Sequence, residues 1–152
     1  MRVLEKNRGK YIKRKKTKCD FCDLTVIKDQ QVKKLEGKYW YVLASKFPYL
    51  DGNLMIVSKQ HIADTDELTQ AAQEEFFVIL VKAKKVLTKL FKTKSFNVGL
   101  NLGPDSGASI PHLHWQIIPR VKINPAVYNV INDLWFVTLD YKELIKKINN
   151  LK

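Results

Sequence analysis

The 152-residue sequence lacks the features that mark fibrous, disordered, membrane-spanning and secreted proteins. Six glycines and five prolines are too few for a fibrous, disordered or low-complexity chain. The apolar runs, such as residues 76–81, are far shorter than the roughly 20 residues of a membrane-spanning helix, and the N-terminus has no apolar secretion-signal segment. We therefore expect a cytoplasmic protein with no membrane partner and, at this length, a single compact domain.

Acidic residues are the scarcer charge, with 15 Asp and Glu against 27 Lys and Arg, which gives a net charge of +12. Nine of the basic residues lie within residues 1–18, where Glu5 is the one acid. We therefore divide the chain into a basic N-terminal arm, residues 1–18, and a folded domain, residues 19–152. The arm predicts weak contact with nucleic acid or polyphosphate through long-range attraction. A solvated extension that keeps the protein soluble is an equally good interpretation.

The two cysteines form a single Cys-x-x-Cys motif, Cys19 and Cys22. In a reducing compartment such a pair is half of a metal site or a redox pair rather than a structural disulfide. The motif alone leaves both interpretations open.

The hydrophobic pattern predicts an α+β fold, in which an antiparallel sheet packs against one long helix and a short C-terminal helix. Gly37 is expected to join the first two strands as a hairpin. The long helix is expected to begin at Thr65 or Asp66. The predicted strands are 31–36, 38–44, 53–58, 95–102 and 112–119; the C-terminal helix is 141–151, and 103–109 is a loop.

The reactive side chains concentrate in the last predicted strand. Because side chains alternate along a strand, His112, His114 and Gln116 share one face. Leu113, Trp115 and Ile117 share the other face, which suits packing. A lone strand histidine is usually structural, but here two of the three histidines in the chain lie two residues apart, beside a polar loop.

This strand resembles the motif of the histidine triad (HIT) superfamily, His-x-His-x-His/Gln followed by apolar residues. The resemblance extends from Tyr11 through Cys19–Cys22, Pro48–His61 and Asn97–Arg120. It is closest to the dinucleoside polyphosphate phosphorylase and hydrolase branch. It implies cleavage at the α-phosphate of a nucleotide through a covalent nucleotidyl-histidine, and a homodimer. A nucleoside phosphoramidate hydrolase, or a nucleic-acid-binding protein whose triad senses nucleotides, are the alternatives.

The resemblance implies a role for each polar residue near the motif. His114 is the nucleophile, and His112 and Gln116 complete the catalytic set. Asn101 and Ser109 occupy phosphate-contacting positions. Backbone N–H groups of the polar loop suit a developing negative charge, and the loop residues expected to bind phosphate are Ser106, Gly107, Ala108 and Ser109.

Gln116 distinguishes the sequence from the triad with three histidines. An amide donates and accepts hydrogen bonds but exchanges no proton near neutral pH, so it orients phosphate without activating water. The residue therefore favours a transferase or phosphorylase, and a hydrolase with a tolerated variant remains the alternative.

Two thiolates and two imidazoles, from Cys19, Cys22, His61 and His112, suit a tetrahedral structural Zn²⁺. The resemblance implies the same ligand set. A redox pair and two reduced buried thiols are the competing interpretations.

The resemblance also implies a nucleoside pocket formed by the first hairpin and the following strand. The family has a ribose-binding Asn or Asp after the second hairpin strand, whereas this sequence has Ser45 there. Phe21, Leu43 and Phe47 are the candidate walls of the base pocket.

Overall fold

The computed structural model describes residues 18–121 and 137–151. The basic arm therefore lies outside the described residues, except for Lys18. The helices are α1 Leu24–Gln30, α2 Gln70–Phe91 and α3 Tyr141–Asn149. The strands are β1 Trp40–Ala44, β2 Leu54–Ser58, β3 Phe96–Leu100 and β4 His114–Pro119.

The four strands form one sheet in the order β1-β2-β4-β3, and every neighbouring pair is antiparallel. The α+β prediction, with one long helix and a short C-terminal helix, is confirmed. β4 is an inner strand, since it pairs with β2 on one side and with β3 on the other. The residues of β4 therefore have neighbours on both sides within the sheet.

The predicted strand over residues 31–36 is wrong. Asp23 caps helix α1 by accepting a hydrogen bond from the Thr25 N–H, and the helix continues to Gln30. Gln31 then forms one isolated bridge with Leu43, and a 3-10 turn follows at Lys33–Leu35. The turn places two apolar side chains three residues apart in the core, Val32 and Leu35, which a strand would place on opposite faces.

The predicted start of the long helix is also wrong. Asp64 caps a separate 3-10 turn at Thr65–Glu67, where Glu67 completes a capping box. The chain is extended again at Leu68 and Thr69, and the Thr69 hydroxyl caps α2 by accepting from the Ala72 N–H at 3.3 Å. Two capping residues lie close together, which explains the error. Each accepts hydrogen bonds from the unpaired N–H groups at the start of its own helical segment.

The hydrophobic side chains form two clusters, one on each face of the sheet. Helix α2 packs on the first face through residues spaced three and four apart: Ala72, Phe76, Ile79, Ala83 and Leu87. The first cluster also includes Leu113 and Ile117 of the β4 segment. The second cluster lies on the opposite face and joins Phe21, Ile27, Leu43, Met55, Val57 and Ile110. Helix α2 thus covers one face and leaves the other to the polar side chains of β4.

Among residues 18–121 and 137–151, none of the helices has the length and apolar character needed to cross a bilayer.

Candidate active site and metal centre

Strand β4 separates its packing residues from its polar ones. Leu113 and Ile117 are buried against the α2 side of the sheet. On the opposite face Gln116 pairs across the sheet with Met55 of β2 and with Gly99 of β3. His114 lies on this same face, as the alternation predicts.

A cavity of about 460 Å³ opens on this face of the sheet. The structure brings most of the sequence-predicted residues to its walls, namely Phe21, Ser45, Phe47, Asn101, Gly107, Ala108, Ser109, His114 and Gln116. The aromatic side chains and Ser45 lie within the same cavity as the polar loop and the β4 residues. One cavity therefore offers both an apolar region for a nucleoside and a polar region for phosphate.

Of the predicted catalytic residues, His112 lies outside the cavity wall, and so do two of the predicted phosphate- and nucleoside-binding residues. Leu43 is fully buried and packs in the second cluster, so it supports the wall from behind and does not contact a ligand there. Ser106 is exposed, and its hydroxyl donates to the carbonyl of Gly103 at 2.7 Å and accepts from the N–H of Ala108 at 3.3 Å. Ser106 therefore shapes the loop, while Gly107, Ala108 and Ser109 line the cavity.

A backbone hydrogen bond fixes the ring of His114. Its Nδ1 lies 2.7 Å from the carbonyl oxygen of His112. A carbonyl only accepts, so Nδ1 carries the proton and Nε2 carries the lone pair. The Phe21 ring packs on the imidazole at an interplanar angle of 65°, with the centroids 5.1 Å apart. This tautomer is the nucleophilic form of a histidine that reacts through Nε2.

Residues that the sequence did not suggest complete the cavity. Gln30 is 7% exposed, and its Oε1 accepts from the N–H of Lys46 at 3.2 Å. Asp29 accepts a hydrogen bond from the Tyr141 hydroxyl at 2.7 Å, and this bond holds the pKa of the Asp29 carboxyl below its usual range. Asp29, Gln30 and Lys46 all line the cavity. Asp29 and Gln30 belong to a helix that the sequence analysis did not identify, and no motif marks Lys46, which follows β1.

Asn53 is the other residue that the sequence analysis missed. Its side chain is 1% exposed and its Nδ2 donates to Oε1 of Gln116 at 2.8 Å. An Asn directly after the turn residue Gly52 looks like ordinary turn chemistry, so no sequence signal identified it.

The four predicted metal ligands lie together beside the cavity. One ligand atom from each of Cys19, Cys22, His61 and His112 lies within 4.8 Å of the other three. Nδ1 of His112 is 3.3 Å from the Cys19 sulfur, 3.7 Å from the Cys22 sulfur and 3.3 Å from Nδ1 of His61. Around a tetrahedral Zn²⁺, ordinary bond lengths give N–N separations of about 3.3 Å and N–S separations of about 3.5 Å. The cluster therefore fits a zinc ion.

The protonation of His112 suits a metal ligand. Its Nε2 lies 2.8 Å from the carbonyl oxygen of Ser58, so Nε2 carries the proton and Nδ1 presents its lone pair to the thiols. Burial lowers the pKa of His112, which favours the neutral imidazole that binds metal. Burial also raises the pKa of the Cys22 thiol, and the neighbouring Cys19 raises it further. A cation between the thiols would stabilise both thiolates.

Two curated proteins illustrate what this chain is similar to in sequence. A bis(5'-adenosyl)-triphosphatase from Saccharomyces cerevisiae is 33% identical over 107 residues, which cover 70% of this chain and 50% of that protein. An AP-4-A phosphorylase from Mycobacterium tuberculosis is 35% identical over 85 residues, which cover 55% of this chain and 44% of that protein. The chain spans about half the length of the curated relatives it matches.

Solved structures share the fold. A zinc-bound histidine triad family protein from Mycobacterium smegmatis superposes with a TM-score of 0.65 at 15% identity, over 86% of this chain and 89% of that one. The family model described as the HIT domain matches residues 26–123, a range that includes β4 and most of the cavity wall. The chain therefore belongs to the HIT domain family.

Proposed function

We propose that the protein cleaves dinucleoside polyphosphates, or related nucleotides, at the α-phosphate through a nucleotidyl-histidine intermediate. The observation that best supports this is the tautomer of His114, whose Nε2 lone pair belongs to a ring that lines the cavity. In the first step Nε2 attacks the α-phosphorus, and the bond from that phosphorus to the bridging oxygen breaks. The leaving nucleoside phosphate takes the electron pair of the broken bond.

The groups around His114 suit an α-phosphate. Asn101, the loop residues Gly107 to Ser109 and Gln116 line the same cavity and provide hydrogen-bond donors. Gly107 has φ 82°, a left-handed conformation that favours glycine and keeps the loop curved. Such donors stabilise negative charge that increases on the phosphate oxygens as the bond to His114 forms.

The remainder of the cavity suits a nucleoside. Phe21, Phe47 and Met55 provide apolar surface, and Ser45 provides a hydroxyl that can contact ribose. The side chain of Ser45 is 8% exposed, so it is enclosed by the cavity wall rather than directed to bulk solvent.

Gln116 favours phosphate over water as the acceptor that removes the nucleotidyl group. The second step needs a nucleophile, and an amide cannot take a proton from water. Inorganic phosphate is anionic and needs less activation. The two relatives differ on this point, since one is named a triphosphatase and the other a phosphorylase.

We also propose that the Cys/His cluster holds a structural Zn²⁺. The ion would join the segment around Cys19 and Cys22 to His112 at the start of β4, two residues before the nucleophile. Zinc supplies folding free energy in such a site. A reducing compartment such as the cytoplasm keeps both thiols available to the metal.

A homodimer is the third part of the proposal. β3 is an edge strand of the sheet, so one side of its backbone has no partner strand within the described residues. Exposed apolar side chains lie on α2 and on the β3 segment: Phe77, Val78, Val81, Val98 and Leu102. Phe77 is 66% exposed, a large aromatic surface for a monomer.

The zinc site predicts a difference between two histidine variants. His61→Asn should remove most of the zinc and lower Tm by about 5 °C or more, because the metal stabilises the fold. His114→Asn is the matched control and should keep about one zinc per chain. Elemental analysis and thermal unfolding measure both quantities. Full zinc content in His61→Asn would contradict the ligand assignment.

The nucleophile predicts a covalent adduct. Mixing the protein with a dinucleoside polyphosphate and quenching in alkali should trap an acid-labile nucleotidyl group on His114, since histidine phosphoramidates are stable in base. His114→Asn should lose the adduct and reduce turnover roughly a thousandfold or more while Tm changes little. Peptide mass spectrometry locates the group. Adduct formation at another residue would exclude His114 as the nucleophile.

The acceptor preference predicts a product ratio. The wild-type protein should form more nucleoside diphosphate than monophosphate as inorganic phosphate rises. Gln116→His should raise the rate of monophosphate formation on the order of a hundredfold, because an imidazole supplies a general acid and base. Chromatography across a phosphate titration measures the ratio. With a dinucleoside tetraphosphate as substrate, the formation of monophosphate and triphosphate without diphosphate at every phosphate concentration would show that the protein is a hydrolase.

The proposed homodimer predicts the molar mass of the protein in solution and its change on substitution. The wild-type protein should elute at about twice 17.7 kDa in light-scattering chromatography. Phe77→Glu should shift it to the monomer, because a buried unpaired carboxylate opposes association. Leu24→Glu, at a position that is 61% exposed on α1, is the control and should remain dimeric. A wild-type monomer would refute this part of the proposal.

A further inference from the structure

Asn53 forms a buried amide contact on the face of the sheet that carries Gln116. It follows Gly52 at the start of β2 and is 1% exposed. Its Oδ1 accepts from the backbone N–H of Tyr49 at 3.1 Å. Its Nδ2 donates to Oε1 of Gln116 at 2.8 Å and to the carbonyl of Leu54 at 3.0 Å.

The backbone groups decide which way the Asn53 amide faces. The N–H of Tyr49 only donates, so it requires the oxygen of the Asn53 side chain. The carbonyl of Leu54 only accepts, so it requires the nitrogen. Nδ2 of Asn53 therefore faces Gln116, and Gln116 must present Oε1 to it.

The orientation of Gln116 follows from that contact. With Oε1 occupied by Asn53, the part of the Gln116 amide left for a ligand in the cavity is the Nε2 donor pair. Phosphate oxygens accept hydrogen bonds and cannot donate when ionised. A donor at this position attracts the phosphate, whereas the amide turned by 180° would place a carbonyl oxygen against it.

We propose that Asn53 is a positioning residue that makes Gln116 a hydrogen-bond donor to the phosphoryl group bound at His114. The inference rests on the proposed function for the identity of that group. It adds a specificity determinant: the fixed amide favours anionic phosphate and presents no hydrogen-bond acceptor that would orient an attacking water. Asn53 acts through Gln116 and does not contact the substrate.

Asn53→Asp tests the orientation, because it keeps the shape of the side chain and replaces the donor with an acceptor. The new carboxylate at position 53 should take a hydrogen bond from Nε2 of Gln116, which turns Oε1 toward the phosphate. Affinity for AMP should fall about 10- to 100-fold, the range of one charge-assisted hydrogen bond lost and replaced by repulsion. Affinity for adenosine, which has no phosphate, should change less than about twofold.

Three further variants separate positioning from stability. Asn53→Ala removes the donor without adding charge, so it should show a smaller loss that is still confined to AMP. Asn97→Asp makes the same chemical change at an exposed residue of β3 and should leave the AMP-to-adenosine affinity ratio unchanged. In a Gln116→Leu background, Asn53→Asp should still lower Tm but should no longer change the ratio, because the amide on which it acts is absent.

Titration calorimetry of each variant with AMP and with adenosine gives the ratio, and product analysis gives the second readout. If the inference is right, the share of monophosphate rises in Asn53→Asp. Two results would overturn it. One is an equal loss of affinity for AMP and for adenosine in Asn53→Asp. The other is a change in the AMP-to-adenosine affinity ratio on Asn53→Asp that is as large in the Gln116→Leu background as in the wild type. A wild-type protein that binds AMP with the expected Asn53 dependence but turns over no dinucleotide would refute the proposed function and leave the inference standing. A wild-type protein that binds neither probe would refute both.

Discussion

The hydrogen bond between Nδ1 of His114 and the carbonyl of His112 is the contact on which the rest of the site depends. A second carbonyl, that of Ser58, accepts from Nε2 of His112. Backbone oxygens thus fix both imidazoles, but through different ring nitrogens. His112 presents Nδ1 to the thiols and His114 keeps its lone pair on Nε2. His112 and His114, the two histidines of one motif, therefore have different chemistry.

This arrangement requires a rigid strand. β4 lies between β2 and β3, and its other face packs through Leu113 and Ile117 against the core covered by α2. Both residues are almost fully buried, so the register of β4 is fixed, because a one-residue slip would move them to the cavity face. The packing residues and the reactive residues alternate, and the same constraint positions both sets.

Amide orientation in the cavity is controlled in the same way. The N–H of Tyr49 determines the orientation of Asn53, and Asn53 determines that of Gln116. In each case a backbone group of known polarity decides which atom of a side chain faces the ligand. Backbone groups have no alternative tautomer or flip, so they can define the polarity of a site that consists of imidazoles and amides.

The sequence predicted the parts of the structure that depend on period and on motif. Alternation in β4 correctly separated Leu113 and Ile117 from His114, and the hydrophobic pattern predicted one long helix packed on the sheet. The spacing of Cys19 and Cys22 was compatible with a metal half-site or a redox pair, and the structure places His61 and His112 beside the two cysteines. These features are local or depend on residue types that are rare in the chain.

The parts that the sequence did not predict depend on contacts between distant residues. Residues 31–36 contain β-suited side chains, yet the burial of both Val32 and Leu35 requires a turn. Asn53 follows a turn glycine and gives no sign of its contact with Gln116, 63 positions away. Leu43 is an apolar residue suited to a pocket wall, and it shares a face of the sheet with Met55, but it is fully buried in the second cluster and does not reach the cavity. Tertiary packing decided each of these cases.

The tautomers of the two histidines are the most direct test of this account. Long-range ¹⁵N–¹H correlation spectra of the uniformly labelled protein distinguish a protonated ring nitrogen from one that carries a lone pair. His114 should have its proton on Nδ1, and His112 should have its proton on Nε2. A His114 ring protonated on Nε2 would leave no lone pair facing the phosphate and would contradict the assignment of this residue as the nucleophile.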